Sequence, residues 1–240
     1  MTIAVSLTDT AIFTALRSFL IGVLPSGVEI VKAQDNRVPE PSTPDFVTMT
    51  PLRRPRLATN VDTAADAKFS GSIAAAVMTI TQVFAGVMNV GSTVFGVGVA
   101  DNTTVLAQIS GTPGDIGTYS VAPSQTIASE TLSAGATAVA QSTEVVVQLD
   151  IHGPNSADNA QIISTLFRDD YAAQQFDGSG VSPLYADEPK QVPYLNAEQQ
   201  YENRWIVDVH LQITPTVSVP QQYADAVTVT TVEVETTYLG

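Results

Sequence analysis

Several residue types that carry chemistry in proteins are absent or scarce in this chain of 240 residues. There is no cysteine, which excludes a disulfide framework, a thiolate nucleophile and a thiolate metal site. Only 10 residues are Lys or Arg against 24 Asp or Glu, and the net charge is −14. Because such a surface repels phosphate, the composition disfavours a nucleic-acid binder.

A long uninterrupted hydrophobic run is also missing. The most apolar stretch, residues 11–24, is broken by Thr14, Arg17 and Ser18 and is too short to span a bilayer. The first residues lack the basic segment and cleavage site of a secretory signal. With 44% hydrophobic and 14% charged residues, we expect a globular, soluble intracellular product with no membrane partner.

Catalytic motifs are missing as well. The chain has neither a Gly-x-Ser-x-Gly elbow nor a Gly-x-Gly-x-x-Gly turn at the start of a helix. The two histidines, His152 and His210, each follow an aspartate at Asp-x-His spacing, which is compatible with metal ligands, but no third ligand is placed near them. A solvated strand face or a subunit contact explains them better. We predict no catalytic, cofactor or metal site.

Hydrophobic spacing predicts a helix near the start of the chain. Its apolar face consists of Ile12, Phe13, Leu16, Phe19, Leu20, Val23 and Leu24, with Thr8 or Asp9 as the N-terminal cap. Strands at 28–33 and 46–50 follow, joined by a proline-rich link at 34–44.

Residues 68–143 differ in composition from their surroundings. Their charged residues are Lys68, Asp101, Asp115 and Glu130, and Gly, Ser, Thr, Val and Ala fill most other positions. Short alternating runs between glycine-rich turns predict a small all-β module. A disordered low-complexity loop is the alternative. The spaced Val, Ile, Phe and Tyr residues favour the folded interpretation.

After this segment, alternation predicts strands at 145–152 and 205–213, the second containing Trp205. Between them we predict a helix capped by Asn155 or Ser156 and ended by Asp177 and Gly178, a long loop at 179–193, and a short capped turn at 196–199. A last strand is expected at about 227–235, with a β-bulge near 230–231.

This order of elements predicts an α+β domain, with a mixed or antiparallel sheet and two helices on one face, into which a small all-β domain is inserted. The predicted boundaries are 1–67 and 144–240 for the discontinuous α+β domain and 68–143 for the inserted module. Surface loops tolerate insertions of this kind.

One basic cluster stands out in this acidic chain: Arg53, Arg54 and Arg56. It is either a solvated loop or a contact patch for an acidic neighbour, such as another copy of the chain, since interfaces are enriched in Arg. The segments 34–44 and 179–193 are candidate docking arms. The further contact candidates in or beside these arms are Asp35, Arg37, Tyr185 and Tyr194.

Several runs resemble the phage neck and tail-terminator proteins. They are DTAIFTALRSFL at 9–20, QDNRVPEP at 34–41, DFVTMTPLRR at 45–54 and, as the best match, QLDIHGPNSADNA at 148–160, continuing to 170. The stretches at 94–99 and 117–125 are similar to a β-module that recurs as an addition in phage proteins.

The resemblance implies a tail-terminator-like structural protein at the virion neck. It implies a homo-oligomeric ring, expected to be a hexamer, that stops the tail tube and joins it to the head–tail connector or adaptor. The tail tube and, where one is present, the sheath are its expected partners, and DNA is expected to pass through the lumen without specific binding. The module at 68–143 is expected to project outward as a collar decoration.

The sequence leaves three alternative functions open. The chain could be a head-side neck adaptor or collar protein. The module could bind glycans through Phe84, Phe95 and Tyr119, although these rings are better explained as its core. An enzyme such as a cell-wall hydrolase would need paired acids or a metal cluster, and no spacing in the sequence supplies either.

Overall fold

The computed structural model describes residues 5–33, 41, 43–195 and 201–221. They form the helices α1 (Asp9–Val23), α2 (Ser156–Phe167) and α3 (Asp170–Phe176), and the strands β1 (Glu29–Lys32), β2 (Phe46–Arg53), β3 (Val61–Gly86), β4 (Thr93–Phe95), β5 (Thr104–Gly111), β6 (Gly117–Ala140), β7 (Thr143–His152), β8 (Val181–Ala186), β9 (Lys190–Gln191), β10 (Tyr194–Leu195), β11 (Tyr201–Glu202), β12 (Arg204–Ile213) and β13 (Thr216–Pro220). Within these residues, no helix has both the length and the apolar character needed to cross a bilayer. The fold is α+β, as the sequence predicts.

The chain divides into two compact units. The first, here called the frame unit, consists of Ala4–Asp62 and Val139–Val217. The second, here called the β unit, contains Thr63–Ala138 and, among the described residues, also 218–221. These boundaries differ by a few residues from the predicted module at 68–143, and the β unit takes in a short segment from beyond the second half of the frame. Whether the β unit is an independent inserted domain stays a prediction.

The frame unit is built on a mixed sheet with the strand order β1-β2-β7-β12-β8, in which β9 also pairs with β12. The outer pair β1–β2 is parallel, and the other neighbouring pairs are antiparallel. The central pair, β7 with β12, is in register over ten residues, from Arg204 opposite His152 to Ile213 opposite Thr143.

Alternation along the two central strands separates the faces of this sheet. Val145, Val147 and their alternate neighbours on β7 pack with the matching residues of β12 against the helices, because successive strand side chains point to opposite faces. The buried core of the frame unit consists of Ile12, Phe13, Leu16, Phe19, Leu20, Leu24, Ile30, Val47, Met49, Val145, Val147, Leu149, Ile151, Ala160, Ile163, Phe167, Ala172, Phe176, Val181, Ala186, Val207, Val209, Leu211 and Ile213.

Helix α1 confirms the predicted helix and its cap. The Thr8 hydroxyl accepts a hydrogen bond from the backbone N–H of Ala11 at 3.2 Å, which satisfies one of the free donors of the first turn. Five of the seven predicted apolar residues are fully buried within the helix, and Leu24 at its C-cap is buried too.

The predicted helix from 156 to 177 is wrong in one respect, because it is two helices. Asp169 separates them: its side chain accepts a hydrogen bond from the N–H of Tyr171 at 3.0 Å and so caps α3. The Arg168 guanidinium donates to the carbonyl of Ala186 and fixes the break against β8. The frame unit therefore carries three helices in its described part, where the sequence predicted two.

The predicted loop at 179–193 is also wrong, because it contains β8 and β9. Both strands are held by pairing with β12, and the pairing of β8 with β12 shifts register between His210 and Leu211 of β12. Pro183 lies in an outer strand here, where a missing N–H is tolerated. The predicted turn at 196–199 and the predicted strand at 227–235 lie outside the described residues.

The β unit has a core of its own and is folded, which excludes the low-complexity alternative for its described residues. Strand β3 doubles back near Ala75, since Gly71 lies against Thr79 and the N–H of Val87 bonds Asp66. The sheet order is β13-β6-β4-β5, with β3 also paired to β6. The core residues are Ala67, Phe69, Ile73, Met78, Ile80, Met88, Val94, Val105, Tyr119, Val121, Leu132 and Ala134.

Phe19 is the residue whose loss should damage the frame unit most clearly. Its ring lies 5.5 Å from that of Phe167 and 5.6 Å from that of Phe176, so it joins all three helices. We expect Phe19→Ala to lower the free energy of unfolding by about 3–5 kcal/mol, because it leaves a cavity that the neighbours fill only in part.

Denaturant unfolding followed by the fluorescence of Trp205, the one tryptophan of the chain, measures this loss in the frame unit. Ile21→Ala on the exposed side of the same helix is the control, because Ile21 is 54% exposed. Its effect should stay within about 0.5 kcal/mol. Equal losses for the two variants would contradict the packing described here.

Candidate functional site

The sheet face of the frame unit that lies away from the helices carries most of its partly buried charge. It presents the alternate residues of the central pair: Glu144, Val146, Gln148, Asp150 and His152 from β7, and Arg204, Ile206, Asp208, His210 and Gln212 from β12. We call this surface the helix-free face. Both histidines of the chain lie on it.

His210 is nearly fully buried among acidic and aromatic neighbours. Its Nδ1 lies 2.5 Å from Glu144 Oε1, and its Nε2 lies 3.7 Å from Asp187 Oδ1. The Tyr185 ring stacks on the imidazole with 4.0 Å between centroids. Register explains the stack, because Tyr185 on β8 stands directly opposite His210 on β12.

Asp208 is an acid of this face whose ionisation is disfavoured. Partial burial raises the pKa of its carboxyl above the ordinary value, and the nearby Asp187 carboxylate raises it further, while Lys190 and His210 oppose the shift. Its buried Oδ1 has no hydrogen-bond partner among the described residues.

The other end of the face repeats the arrangement of His210. The imidazole of His152 stacks on Phe46, its direct cross-strand neighbour, at 4.4 Å, and its Nδ1 lies 2.9 Å from Glu202 Oε1. Beside His152, Arg204 donates two hydrogen bonds to Asp150 Oδ1, at 3.0 and 2.5 Å. The face therefore carries one arginine–aspartate ion pair and two histidine–glutamate contacts within one chain.

Neither histidine uses the aspartate two residues before it as its hydrogen-bond partner. Each meets a glutamate instead, Glu144 for His210 and Glu202 for His152. Within the described part of the chain, no group of three or more His, Cys, Asp or Glu side chains is arranged to hold a metal ion. This geometry orients and neutralises charge, and it offers a surface for contact.

The predicted basic cluster lies at the end of β2, beside the outer strand β1. Arg53 is exposed, and Arg56 forms an isolated bridge with Thr143 and lies against the amide of Gln141. Arg54 forms an ion pair with Asp9 at the start of α1.

Two further cations join this cluster that the sequence did not point to. Lys32 Nζ lies 2.5 Å from Asp9 Oδ2 and 4.5 Å from the centre of the Phe13 ring. Arg17 Nε donates to the carbonyl of Ile30 at 3.2 Å. A hollow of about 360 Å³ lies between them, lined by Thr10, Phe13, Thr14, Arg17, Ile30, Lys32 and Met49. Arg17 lies eight residues after Asp9 in the same helix, so helical spacing relates these two residues. Lys32 and Arg54 are distant from Asp9 in the sequence, and only the fold brings them to it.

The remaining contact candidates are not brought together with the arginines. Tyr185 lies on β8, at the opposite side of the sheet, and is 46% exposed although it stacks on His210. Tyr194 belongs to the short hairpin of β10 and β11. Asp35 and Arg37 lie outside the described residues.

Replacing Asp208 tests the charge balance of the helix-free face. The folded-state pKa of Asp208 is raised above 3.8, so the folded chain holds this proton more tightly than the unfolded chain does. Stability therefore falls as pH rises from 3.8 through the folded-state pKa, and the loss is complete above it. We expect Asp208→Asn to be more stable than wild type at pH 7, by on the order of 0.5 kcal/mol because the group is partly screened by solvent.

Thermal unfolding across pH measures this effect, and the difference between variant and wild type should disappear below pH 3.8. Asp158→Asn, which removes an exposed carboxylate from α2, controls for the loss of one negative charge. A stability difference for Asp208→Asn that does not change with pH would refute the assignment.

Comparison with models of known protein families gives a match to this chain. The family model described as phage neck terminator protein matches residues 107–240, which is more than half of the chain. Comparison with curated proteins gives no match. The matched residues include the central strands, the helix-free face and α2 and α3, and they begin inside β5 of the β unit. The chain belongs to the phage neck terminator family and is thus a structural protein of the virion neck.

Proposed function

We propose that this chain is the subunit of a six-membered ring at the phage neck, which ends the tail tube and joins the tail to the head connector or adaptor. The tail tube, and the sheath where one is present, contact one side of the ring, and the adaptor contacts the other. The observation that carries the proposal is the family match over residues 107–240.

The chemistry of the described residues supports a role in contacts. Arg204 and both histidines of the helix-free face have partners within the chain, and Arg53, Arg54 and Arg56 lie exposed at a sheet edge. A protein that acts through its surfaces needs such edges and no enclosed reaction site.

The net charge fits a ring around a DNA path. Each copy carries −14, so six copies around an axis create a strongly negative ring. If part of that charge lies along the lumen, it repels phosphate, and DNA can pass without adsorbing.

The proposal is tested on the particle and on the purified protein. We expect cryo-electron microscopy of virions to place the chain at the junction of tail and head in six copies. Mass measurement of rings released from particles should give six times 25.3 kDa. Disrupting the gene should give tails of uncontrolled length and heads without tails.

A head-side adaptor would give a different result in the same experiment. Tails of normal length that fail to join heads would place the chain on the capsid side and overturn the terminator assignment. A location away from the neck would overturn the whole proposal.

A second candidate function concerns the β unit. Phe84 is 49% exposed beside a hollow of about 390 Å³ that is also lined by Val87, Pro113 and Asp115, so its ring is accessible to a ligand. Phe95 is only half-buried, whereas Tyr119 is buried in the core, so Tyr119 does not take part in stacking.

Glycan-array binding of the full chain tests this second function. We expect binding that Phe84→Ala abolishes, while Val97→Ala, at another exposed apolar position of the same unit, leaves it unchanged. Absence of binding by the wild type across a broad array would remove this candidate.

A further inference from the structure

The two outer sides of the frame sheet carry opposite charge. We define the basic edge as α1, β1 and the end of β2, and the acidic edge as α3, β8 and the residues next to them. Among the described residues, the charged residues of the basic edge are Arg17, Lys32, Arg53, Arg54 and Arg56, with Asp9, Glu29 and the adjacent Asp45. Those of the acidic edge are Asp169, Asp170, Asp177, Asp187 and Glu188, with Arg168 and Lys190.

Strand order places the strands of these two edges on opposite sides of the sheet. In the described sheet β1 is outermost on one side and β8 on the other, with three strands between them. Four strand spacings separate these two strands by roughly 19 Å, whereas α1 and α3 pack against each other on the helix side of the sheet. Among the described residues, five cations lie with three carboxylates on one side, and five carboxylates lie with two cations on the other, so the frame unit is electrically polar across its sheet.

From this polarity we infer that neighbouring copies of the chain meet edge to edge, the basic edge of one copy against the acidic edge of the next. A symmetric contact between two identical edges would bring like charges together, which disfavours it. A head-to-tail contact pairs opposite charges and repeats around an axis, which closes a ring if the rotation fits. The inference rests on the proposed ring and names the surfaces that build it.

The shapes of the two edges also fit. The hollow of the basic edge has apolar walls from Phe13, Ile30 and Met49, with Arg17 and Lys32 beside them. The acidic edge exposes large side chains suited to fill such a hollow: Tyr171, Leu184 and Tyr185. Buried tyrosines surrounded by complementary charges are frequent anchors of protein interfaces.

Side chains carry this contact, because the backbone of β1 is partly blocked. The odd-numbered residues from Glu29 to Ala33 direct their backbone hydrogen bonds toward β2, as the N–H groups of Glu29 and Ala33 show. The carbonyl of Ile30 therefore points outward, and it already accepts from Arg17. A strand added from outside would have to displace this arginine, which protects the edge.

The absence of native cysteine allows a direct test in purified particles. Thr14→Cys places a thiol at the hollow of the basic edge, and Ser182→Cys places one on the exposed side of β8. With a short bis-maleimide, the double variant should give a ladder of linked copies up to the closed ring. Each single variant should give no linked species.

Two outcomes of the cross-linking overturn the inference. Dimers from either single variant would show that like edges meet. No ladder from the double variant, in particles whose necks contain a ring, would show that the copies meet elsewhere; the ring proposal would stand and the edge assignment would fall. Particles without a ring would remove both.

Charge exchange tests the electrostatic part of the inference. Arg53→Glu with Arg54→Glu makes both edges acidic, and Asp170→Lys with Asp177→Lys makes both edges basic. Each variant alone should form rings at least about tenfold less well than wild type. An equimolar mixture should restore rings, since an even-numbered ring can alternate the two, and this restoration also shows that both variants fold.

Asp158→Lys is the matched control, because it reverses an exposed charge on α2 outside either edge. It should form rings like the wild type. Rings from both exchanged variants alone, or no restoration in the mixture although each variant unfolds at the wild-type temperature, would overturn the edge assignment without affecting the ring.

Discussion

The antiparallel pairing of β7 with β12 is the constraint on which the frame unit depends. Both strands are central, so each must satisfy hydrogen bonds on its two sides and bury one face completely. A slip of one residue would turn Glu144 and Gln148 into the core and expose Val145 and Val147, so the register is strongly specified. The same register decides which side chains meet on the helix-free face. Each histidine has one aromatic cross-strand neighbour, Phe46 for His152 and Tyr185 for His210, and an acidic neighbour that lies diagonally or beside it.

Periodicity predicted the elements that bury a regular stripe, and it missed what depends on pairing. α1, β7 and β12 follow from their apolar spacing alone. β8 does not, because its residues lack alternation and it exists through its pairing with β12. The partners of His210 could not be predicted from the sequence either, because Glu144 is 66 residues away in the chain and no local pattern connects the two residues. The break between α2 and α3 had a local signal in Asp169, a residue favoured at helix caps.

The family match includes part of the β unit as well as the second half of the frame unit. The runs at 148–170 that resemble neck terminator proteins lie inside the matched residues, whereas those at 9–54 lie before them. The match also starts at residue 107, so it covers β6 and part of β5 in addition to the second half of the frame. Between 63 and 138 the charged residues of this unit are Asp66, Lys68, Asp101, Asp115 and Glu130, so much of the surface of this segment is uncharged. Exposed apolar side chains such as Val97 and Phe84 are what it offers to a partner.

The distribution of charge in the frame unit favours association through its edges over association through its face. On the helix-free face, Arg204 is matched by Asp150 and both histidines by glutamates, so docking a charged partner there would require breaking pairs that are already partly buried. At the edges the balance is uneven, and the excess charge is exposed to solvent, where pairing costs little desolvation. Individual exposed pairs are weak, so such a contact gains strength from the number of copies closed around the axis and from apolar side chains such as Tyr185 that fill a hollow between the charges.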